Sequence, residues 1–397
     1  MRPPLNPFSR RTFFSLVQAA PLSGALLVIG QTQAHAFLLD GGLREVYAGL
    51  SGILGLAVPR FEPQLGPRNQ TEPFALQQGV LRDPAAFTIA PGVPLWQQGN
   101  PRTFLVHQAD TDALNWQRGA AGAALQRFIR SVMTETDRAR CLGILWLQGE
   151  AEAPTMQRGD SFMHAFAMRR LLTFVRADFG RPAQGANALP AFFWTPPPYG
   201  GVNEGQRWAR EALASLLDDE DVNASLVAPQ TADVDFRGDL DTSMPEGLDM
   251  RRIARRMALG LARGFGSPIR YPAFGPRITE VLSTNPFTTE VIIAMDRGTT
   301  IKVNGQAHDG RGWSVTTLGE TRAVHSVHRA GPTRLLLRHQ IAGPRRTIAY
   351  CLFGERLGRG NAITDDWGSM GEMPDGMAPD WRFDMPLQPT LRPLYAG

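Results

Sequence analysis

The chain has 397 residues, of which 43% are hydrophobic and 20% charged, so it is long enough for about two folded domains and is not compositionally disordered. The formal net charge is +4, but no basic run with interleaved aromatic residues occurs, so we expect no nucleic-acid partner. No run of 18 or more apolar residues occurs either, so we predict no membrane span.

The N-terminus allows two interpretations. Ser9-Arg10-Arg11-Thr12-Phe13-Phe14 matches a bacterial twin-arginine export motif, and an apolar segment and a possible cleavage site after Ala36 follow it. This interpretation predicts an extracytoplasmic protein (periplasmic, secreted or virion-associated), whereas a chain that is not exported would be cytoplasmic. In the alternative, which we favour, the apolar run at 25–29 is a sheet strand and residues 1–23 are an N-terminal extension. Cleavage after Ala36 would remove that strand.

Strand and helix patterns alternate up to residue 266. Further strands are predicted at 103–107, 142–147, 189–194 and 225–229, and helices at 43–56, 119–138, 162–179, 204–217 and 248–265. Short apolar strands that alternate with amphipathic helices are typical of a parallel sheet covered on both faces. We therefore predict an α/β domain with a mainly parallel sheet over residues 24–266.

Several side chains of the predicted helices are given structural roles. Asp160 or Ser161 is predicted to be the N-cap of the helix at 162–179, and His164 inside that helix is predicted to be structural. The arginines of the helix at 248–265 are predicted to form a solvated face. They are Arg251, Arg252, Arg255, Arg256 and Arg263.

Short β-rich runs dominate from residue 267 onwards. Strands are predicted at 289–295, 300–303, 333–339 and 347–353, separated by Gly, Pro and Asn turns, so we predict a small antiparallel β-sandwich with a C-terminal tail over residues 267–397. Asn304-Gly305 predicts a tight hairpin turn. Cys141 and Cys351 lie at apolar, strand-like positions, and we favour buried free thiols over a disulfide.

Three segments place polar residues where sheet and helix patterns change. The central strand ends in Gln148-Gly149-Glu150, the first strand ends in Gly30-Gln31-Thr32, and Asp239-Leu240-Asp241-Thr242 precedes the helix that begins near Gly247. In open α/β sheets, ligands bind at the carboxyl ends of the strands. We therefore expect these segments to form a ligand site there.

The three segments, together with the β-rich C-terminal part, resemble the SGNH-hydrolase superfamily. Within it, the chain is similar to the sialate O-acetylesterase-like carbohydrate esterases and their phage-tail-type variants. The separation of 117 residues between Gln31 and Gln148 is compatible with that family. The resemblance implies a three-layer, flavodoxin-like α/β domain followed by a β-domain. It also implies hydrolysis of acetyl esters on a carbohydrate by a Ser-His-Asp triad.

The resemblance places altered residues at the triad positions. Thr32 stands at the position of the nucleophilic Ser, Thr242 at that of the His, and Asp239 at that of the Asp. A threonine cannot act as a base at neutral pH, so another histidine would have to take the proton. His107 and His35 lie near the ends of predicted strands; His107 is the better candidate, and an ordinary polar residue at the sheet edge is the alternative.

The resemblance also implies a set of substrate-binding residues. They are Gln31, Asp110, Gln148, Gly149 and Glu150. Asp110 lies where the family has a glycine-rich turn that binds the oxyanion, and a carboxylate there would oppose developing negative charge. Asp110 is therefore either a pocket residue or a loop or helix-cap residue.

Two functional hypotheses follow. The first is a carbohydrate O-acetylesterase with an altered triad, acting on a surface or extracellular glycan. The second is a pseudoenzyme, namely an inactive SGNH-fold protein of an envelope or virion with a glycan-binding or structural role. If the export signal is real, the match of Gly30-Gln31-Thr32 to the family is accidental. We expect no metal and no cofactor, because ligand spacing and phosphate-binding glycine loops are lacking. The sequence identifies neither the glycan nor the oligomeric state.

Overall fold

A computed structural model of the chain describes most of two regions, 141–265 and 272–397, and shorter segments before them. The described residues are 25–30, 45–46, 49, 105–106, 117–118, 126, 129–130, 135–139, 141–147, 153, 156–195, 202–229, 231–233, 247–265, 272–341, 343, 345–358, 360–370 and 383–397.

The first region is built on a parallel sheet. Its strands are β1 (Ala25–Gly30), β4 (Cys141–Leu147), β5 (Ala191–Trp194) and β6 (Ala224–Ala228), in the spatial order β1-β4-β5-β6, and β2 (Leu105–Val106) and β3 (Gln117–Arg118) form a separate pair. The helices are α1 (Glu135–Ala139), α2 (Arg158–Asp178), α3 (Glu204–Leu217) and α4 (Gly247–Gly264). All three pairings within the four-stranded sheet are parallel, as the predicted α/β class requires.

Helices cover both faces of this sheet. Trp146 and Phe193 pack with Leu172 of α2 in one core cluster of the α/β part. On the other face, the ring of Phe192 lies edge-on against Phe265, 5.4 Å between centroids, at the end of α4. Successive residues of a strand point to opposite faces, so this alternation produces three layers, α/β/α. The boundary at 266/267 stays a prediction.

The first apolar run is a strand. β1 pairs in parallel with β4, with Gly30 opposite Leu147. The predicted strand at 25–29 is therefore confirmed, whereas the N-terminal extension at 1–23 and the export signal both stay predictions.

The prediction for residues 103–107 is only partly right. Leu105–Val106 are extended, but β2 pairs antiparallel with β3 and is not among the described strands of the parallel sheet. Two residues paired with a neighbour only 11 to 13 positions away form a local ribbon, and local pairing needs less loop closure than insertion into the sheet.

Helix α2 begins four residues earlier than predicted. Gln157 is its N-cap, and Asp160 is the third helical residue, where its carboxylate accepts a hydrogen bond from the Gln157 N–H at 3.0 Å. Asp160 therefore acts from inside the first turn, as in a capping box, and not as the N-cap.

The arginines of α4 do not form a uniformly solvated face. Arg255 and Arg256 are buried, with Arg256 only 1% exposed. Each has an acidic partner: Arg255 Nε lies 2.8 Å from Glu45, and Arg256 binds Asp233. Helical periodicity identified the polar side of α4, but it does not show that other carboxylates cover that side.

The second region is an antiparallel β-sandwich. Its strands are β7 (Arg277–Asn285), β8 (Thr288–Ala294), β9 (Lys302–Val303), β10 (Trp313–Thr317), β11 (Glu320–Ala323), β12 (Ser326–Gly331), β13 (Arg334–Arg338), β14 (Arg346–Tyr350), β15 (Ile363–Thr364) and β16 (Leu394–Ala396). One sheet has the order β11-β10-β14-β16 and the other β12-β13-β8-β7. Residues of both sheets share one buried core, which includes Val291, Leu337, Trp313 and Ile348.

The predicted hairpin at Asn304-Gly305 is wrong. β9 pairs with β15, and a 3-10 helix, Gly305–Asp309, follows Asn304. The Asn304 amide donates to the Ala362 carbonyl at 2.9 Å and to Thr364 Oγ1 at 3.0 Å. Asn304-Gly305 therefore leads into the 3-10 helix, because the Asn304 side chain is bound by residues 362 and 364.

The end of the chain packs on the sandwich. β16 pairs with β14, and the fully buried Asp365 carboxylate accepts from the N–H groups of Trp367 (3.2 Å) and Met385 (2.7 Å). Burial raises the pKa of Asp365 to about 7, against the lowering effect of these two hydrogen bonds.

Both cysteines, Cys141 and Cys351, are buried free thiols, which confirms the prediction made for them.

In the described part of the chain, no helix combines the length and apolarity that a membrane crossing requires.

Removing β1 is expected to destabilise the protein. A chain that begins at residue 24 keeps the β1–β4 ladder, whereas one that begins at residue 37 loses its backbone hydrogen bonds, each worth about 0.5–1.5 kcal/mol. The urea midpoint should therefore be clearly lower for the shorter chain only. Equal midpoints for the two truncated proteins would show that β1 contributes nothing to stability.

Close packing of α4 on β6 provides a second test. A Cβ on Gly260 would lie 2.4 Å from the carbonyl oxygen of Val227, whereas one on Gly159, in α2, would meet nothing within 4 Å. Gly260→Ala should lower the free energy of unfolding by about 1–3 kcal/mol through overpacking. Gly159→Ala, the matched control, should be neutral or stabilising by up to about 1 kcal/mol. Chemical denaturation measures both, and a harmless Gly260→Ala would contradict the contact.

Candidate functional site

The carboxyl ends of the parallel strands define one edge of the sheet. Gly30 and Leu147, the last residues of β1 and β4, are register partners, and Trp194 at the end of β5 pairs with Ala228 at the end of β6. The chain therefore leaves all four strands on the same side. This is the side on which parallel α/β sheets bind their ligands.

All the site residues predicted from sequence lie outside the described residues. They are Thr32, Asp239, Thr242, His107, Gln31, Asp110, Gln148, Gly149 and Glu150, and the alternative base His35 does as well. What the structure brings together are the strand ends that some of them follow. Gln31 follows Gly30 directly, and Gln148 follows Leu147 directly.

Two hydroxyl groups near this edge were not predicted as site residues. Thr195 follows β5 directly and is 1% exposed, and Thr231 lies three residues after β6 and is fully buried. Neither Oγ1 atom has a hydrogen-bond partner in the structure, and a buried hydroxyl without a partner is uncommon. The sequence signal was available: in each case a polar residue follows a buried strand.

A buried ion pair lies just beyond β6. Two nitrogens of Arg256 each donate to an oxygen of the Asp233 carboxylate at 2.7 Å, so the pair is bidentate. Arg252 lies 4.0 Å from the same carboxylate. Burial alone would raise the pKa of Asp233, but the charge and hydrogen bonds of Arg256 hold this pKa below its usual value. Asp233 is therefore an anion at neutral pH, fixed in orientation by α4.

The same region carries the contact between the two parts of the chain. Leu357 N–H donates to the Ala232 carbonyl, and Asn203 N–H donates to the Phe353 carbonyl, each at 3.0 Å. Arg210 of α3 is only 1% exposed and interacts with Glu355 across this contact. Burial lowers the pKa of Arg210 and raises that of Glu355. The buried Cys351 thiol interacts electrostatically with both groups.

A small cavity lies between the sheet and helices α2 and α3. Its volume is about 30 Å³, and it is lined by apolar residues and by His164. That volume suffices for about one water molecule and not for a substrate. A structural role for His164 remains our interpretation.

The described part of the structure contains no candidate metal-binding cluster. No group of three or more His, Cys, Asp or Glu side chains is arranged there to hold an ion.

Comparisons with known proteins give a coarse likeness of fold. No protein-family model matches the sequence, and no curated protein matches it. A carbohydrate acetylesterase from Xanthomonas citri is similar over 66% of this chain and 51% of its own, with a TM-score of 0.44 and 13% identity. This chain thus spans about half the length of that protein. The N-terminal part of the bacterial surface-layer protein SbsC is similar over 92% of this chain and 79% of its own, with a TM-score of 0.19 and 8% identity. These likenesses identify no family.

The Asp233–Arg256 pair should be worth more than an exposed pair. Asp233→Asn removes the carboxylate that Arg256 binds in a bidentate geometry, and breaking this buried ion pair should cost about 3–5 kcal/mol of unfolding free energy. The control, Asp218→Asn, removes an exposed pair with Arg392 and should cost at most about 1 kcal/mol.

The difference in unfolding free energy between the wild type and Asp233→Asn should also depend on pH. Because the folded-state pKa of Asp233 is lowered, its contribution is present above the unfolded pKa of about 4 and is lost as the pH falls through the lower folded value. Urea unfolding of Asp233→Asn and the wild type at pH 7 and pH 3 should therefore show a smaller gap in acid. A gap that grows in acid would contradict the ionised state.

Proposed function

We propose that this chain binds an acetylated carbohydrate at the carboxyl edge of its parallel sheet and hydrolyses the acetyl ester slowly. The proposal assigns the chain to the SGNH-hydrolase type of carbohydrate O-acetylesterase, with altered triad positions. Its main support is one observation: the strands that lead into Gln31-Thr32 and into Gln148-Gly149-Glu150 are neighbours that end in register, at Gly30 and Leu147.

That register supports a shared site. Adjacent strands lie about 4.8 Å apart, and each further residue extends the chain by at most about 3.6 Å. Thr32 is two residues beyond Gly30, and Gln148 is one residue beyond Leu147. The proposed nucleophile and the proposed substrate-binding segment Gln148-Gly149-Glu150 therefore start from one place on the sheet edge.

The chemistry assigns a role to each residue. Thr32 Oγ1 would attack the acetyl carbonyl carbon while a histidine, oriented by Asp239, takes the hydroxyl proton. That histidine would return the proton to the sugar oxygen as the ester C–O bond breaks, and water would then hydrolyse the acetyl-threonine to acetate and regenerate Thr32. Thr242 stands at the family's histidine position and would contribute only a hydrogen bond. Removal of the base in such a unit costs on the order of a million-fold in turnover, with roughly a thousand-fold over water remaining from binding. Slow turnover is thus the expected result.

His107 is the proposed base, with His35 as the alternative. His107 directly follows β2, which is paired with β3 outside the described parallel sheet, and His35 follows β1 by five residues. Neither histidine comes from the family's last segment. The base would therefore have been recruited from a different part of the chain.

A second function is favoured by the substitutions themselves. The sequence has Thr at 32 and 242 and lacks a glycine near Asp110, where an oxyanion would need backbone N–H donors. On this hypothesis the chain is an inactive glycan-binding protein of a bacterial envelope or a virion. Such a location would agree with the twin-arginine motif, if export occurs without removal of β1.

The decisive experiment measures hydrolysis of an aryl acetate and of an acetylated sugar by the purified chain. Turnover should exceed background slightly, and Thr32→Ala and Asp239→Ala should each abolish it. Thr279→Ala is a matched control, because this hydroxyl lies on the exposed face of β7, where it donates to the Ile292 carbonyl at 3.2 Å. It should leave turnover unchanged.

The two hypotheses differ in the outcome. Turnover that survives Thr32→Ala, or no turnover above background, would exclude the esterase and leave glycan binding as the function.

A further inference from the structure

A groove lies between the α/β part and the β-sandwich. Its volume is about 330 Å³, within the range of about 300–1,000 Å³ that is usual for ligand pockets. One wall consists of the start of α2 and the first two turns of α3. The other consists of the outer face of the sheet β11-β10-β14-β16 and the chain just before β16.

The sandwich wall carries a row of hydroxyl-bearing side chains. Thr316 on β10 is the register partner of Thr347 on β14, which is in turn the partner of Tyr395 on β16. Partners across adjacent strands point to the same face, so the three form one row. The Thr316 and Thr321 hydroxyls, 2.8 Å apart, extend the row to β11. Tyr395 is 82% exposed, which leaves its ring available as a flat, apolar surface with a polar end.

The helical wall carries cations and a second aromatic ring. The Arg207 guanidinium lies over the Trp208 ring, 4.4 Å from its centroid, and Arg207 Nε donates to Glu211 at 2.7 Å. Arg207 also lies 3.6 Å from Glu204, and Arg392 pairs with Asp218, so both have carboxylate partners. Arg158, the exposed first residue of α2, has no acidic partner among the described residues. Arg158 is therefore the groove arginine whose charge a ligand carboxylate could match.

The position of the groove follows from the topology. α2 connects β4 to the parallel strand β5, and α3 connects β5 to the parallel strand β6, so both helices run opposite to the strands. Their first turns, with Arg158 and Arg207, therefore lie on the side of the carboxyl edge. The groove opens on the same side of the sheet as the proposed ester site.

We propose that this groove binds an acidic oligosaccharide, with a carboxylate of the sugar at Arg158 and a pyranose ring against Tyr395. The inference rests on the proposed carbohydrate function and specifies its ligand class. An arginine fork suits a carboxylate, the threonine hydroxyls can exchange hydrogen bonds with sugar hydroxyls, and the aromatic rings suit the C–H face of a pyranose.

Isothermal titration calorimetry of the full chain tests this inference. The probes are three acidic tetrasaccharides, namely those of galacturonate, hyaluronan and polysialate, and the neutral maltotetraose. At least one acidic probe should bind, and maltotetraose should bind at least about tenfold more weakly, as expected for loss of a charge-assisted hydrogen bond. Arg158→Gln should weaken binding of the acidic probe by at least about tenfold.

Two further variants separate the contributions. Tyr395→Ala should weaken binding of the acidic probe by removal of the ring surface. Arg329→Gln changes an equally exposed arginine on β12, in the other sheet, and should leave binding unchanged. Failure of all three acidic tetrasaccharides to bind, equal binding of maltotetraose, or tighter binding of a four-nucleotide single-stranded DNA would each overturn the proposal.

The readouts keep this proposal apart from the ester site. Aryl acetate is too small to need the groove, so Arg158→Gln should leave its hydrolysis as in the wild type. Binding of the acidic probe without any ester hydrolysis would overturn only the proposed esterase activity. Ester hydrolysis without binding of that probe would overturn only the proposed binding groove.

Discussion

The pairing of β1 with β4 is the constraint on which the candidate site depends. These strands are separated by more than 100 residues, yet their last residues, Gly30 and Leu147, are opposite each other. Because side chains alternate between faces along a strand, the register of a parallel pair fixes which residues of the two strands share a face. A slip of one residue would shift the residues that follow Gly30 against those that follow Leu147. Neighbouring strand ends, rather than a local motif, therefore define the site.

Buried charged side chains lie at and beside the contact between the α/β part and the sandwich. Asp233 and Arg256, both in the α/β part, satisfy each other in a bidentate geometry, which offsets much of the cost of burying both. Arg210 and Glu355 are less well matched, since neither terminal nitrogen of Arg210 has a hydrogen-bond partner in the structure. Such a contact favours one relative position of its two surfaces, because displacement would leave ions buried and unpaired. A groove with one wall from each part requires that fixed position.

The elements that followed from the sequence are those set by local periodicity. Strand β4 and helix α3 were predicted within a residue or two, because apolar spacing records which face is buried. The errors arise where a distant partner decides. Asn304 is bound by residues near 362, and the carboxylate of Asp233 covers Arg256. Sequence spacing alone does not contain such pairings. The candidate site residues came from a family resemblance, and periodicity could not have selected them.

The groove and the sheet edge have different requirements, and this separation bears on the two functional hypotheses. Hydrolysis needs a nucleophile, a base and oxyanion donors within hydrogen-bond reach, so single substitutions such as Thr for His at position 242 can nearly abolish it. Binding in the groove needs only an arginine, hydroxyl groups and rings on rigid elements, and none of these belongs to the triad. Under both proposals, a chain that has lost turnover could still bind an acidic glycan in the groove. The residues at the proposed triad positions are therefore an argument against fast catalysis and no argument against the proposed carbohydrate binding.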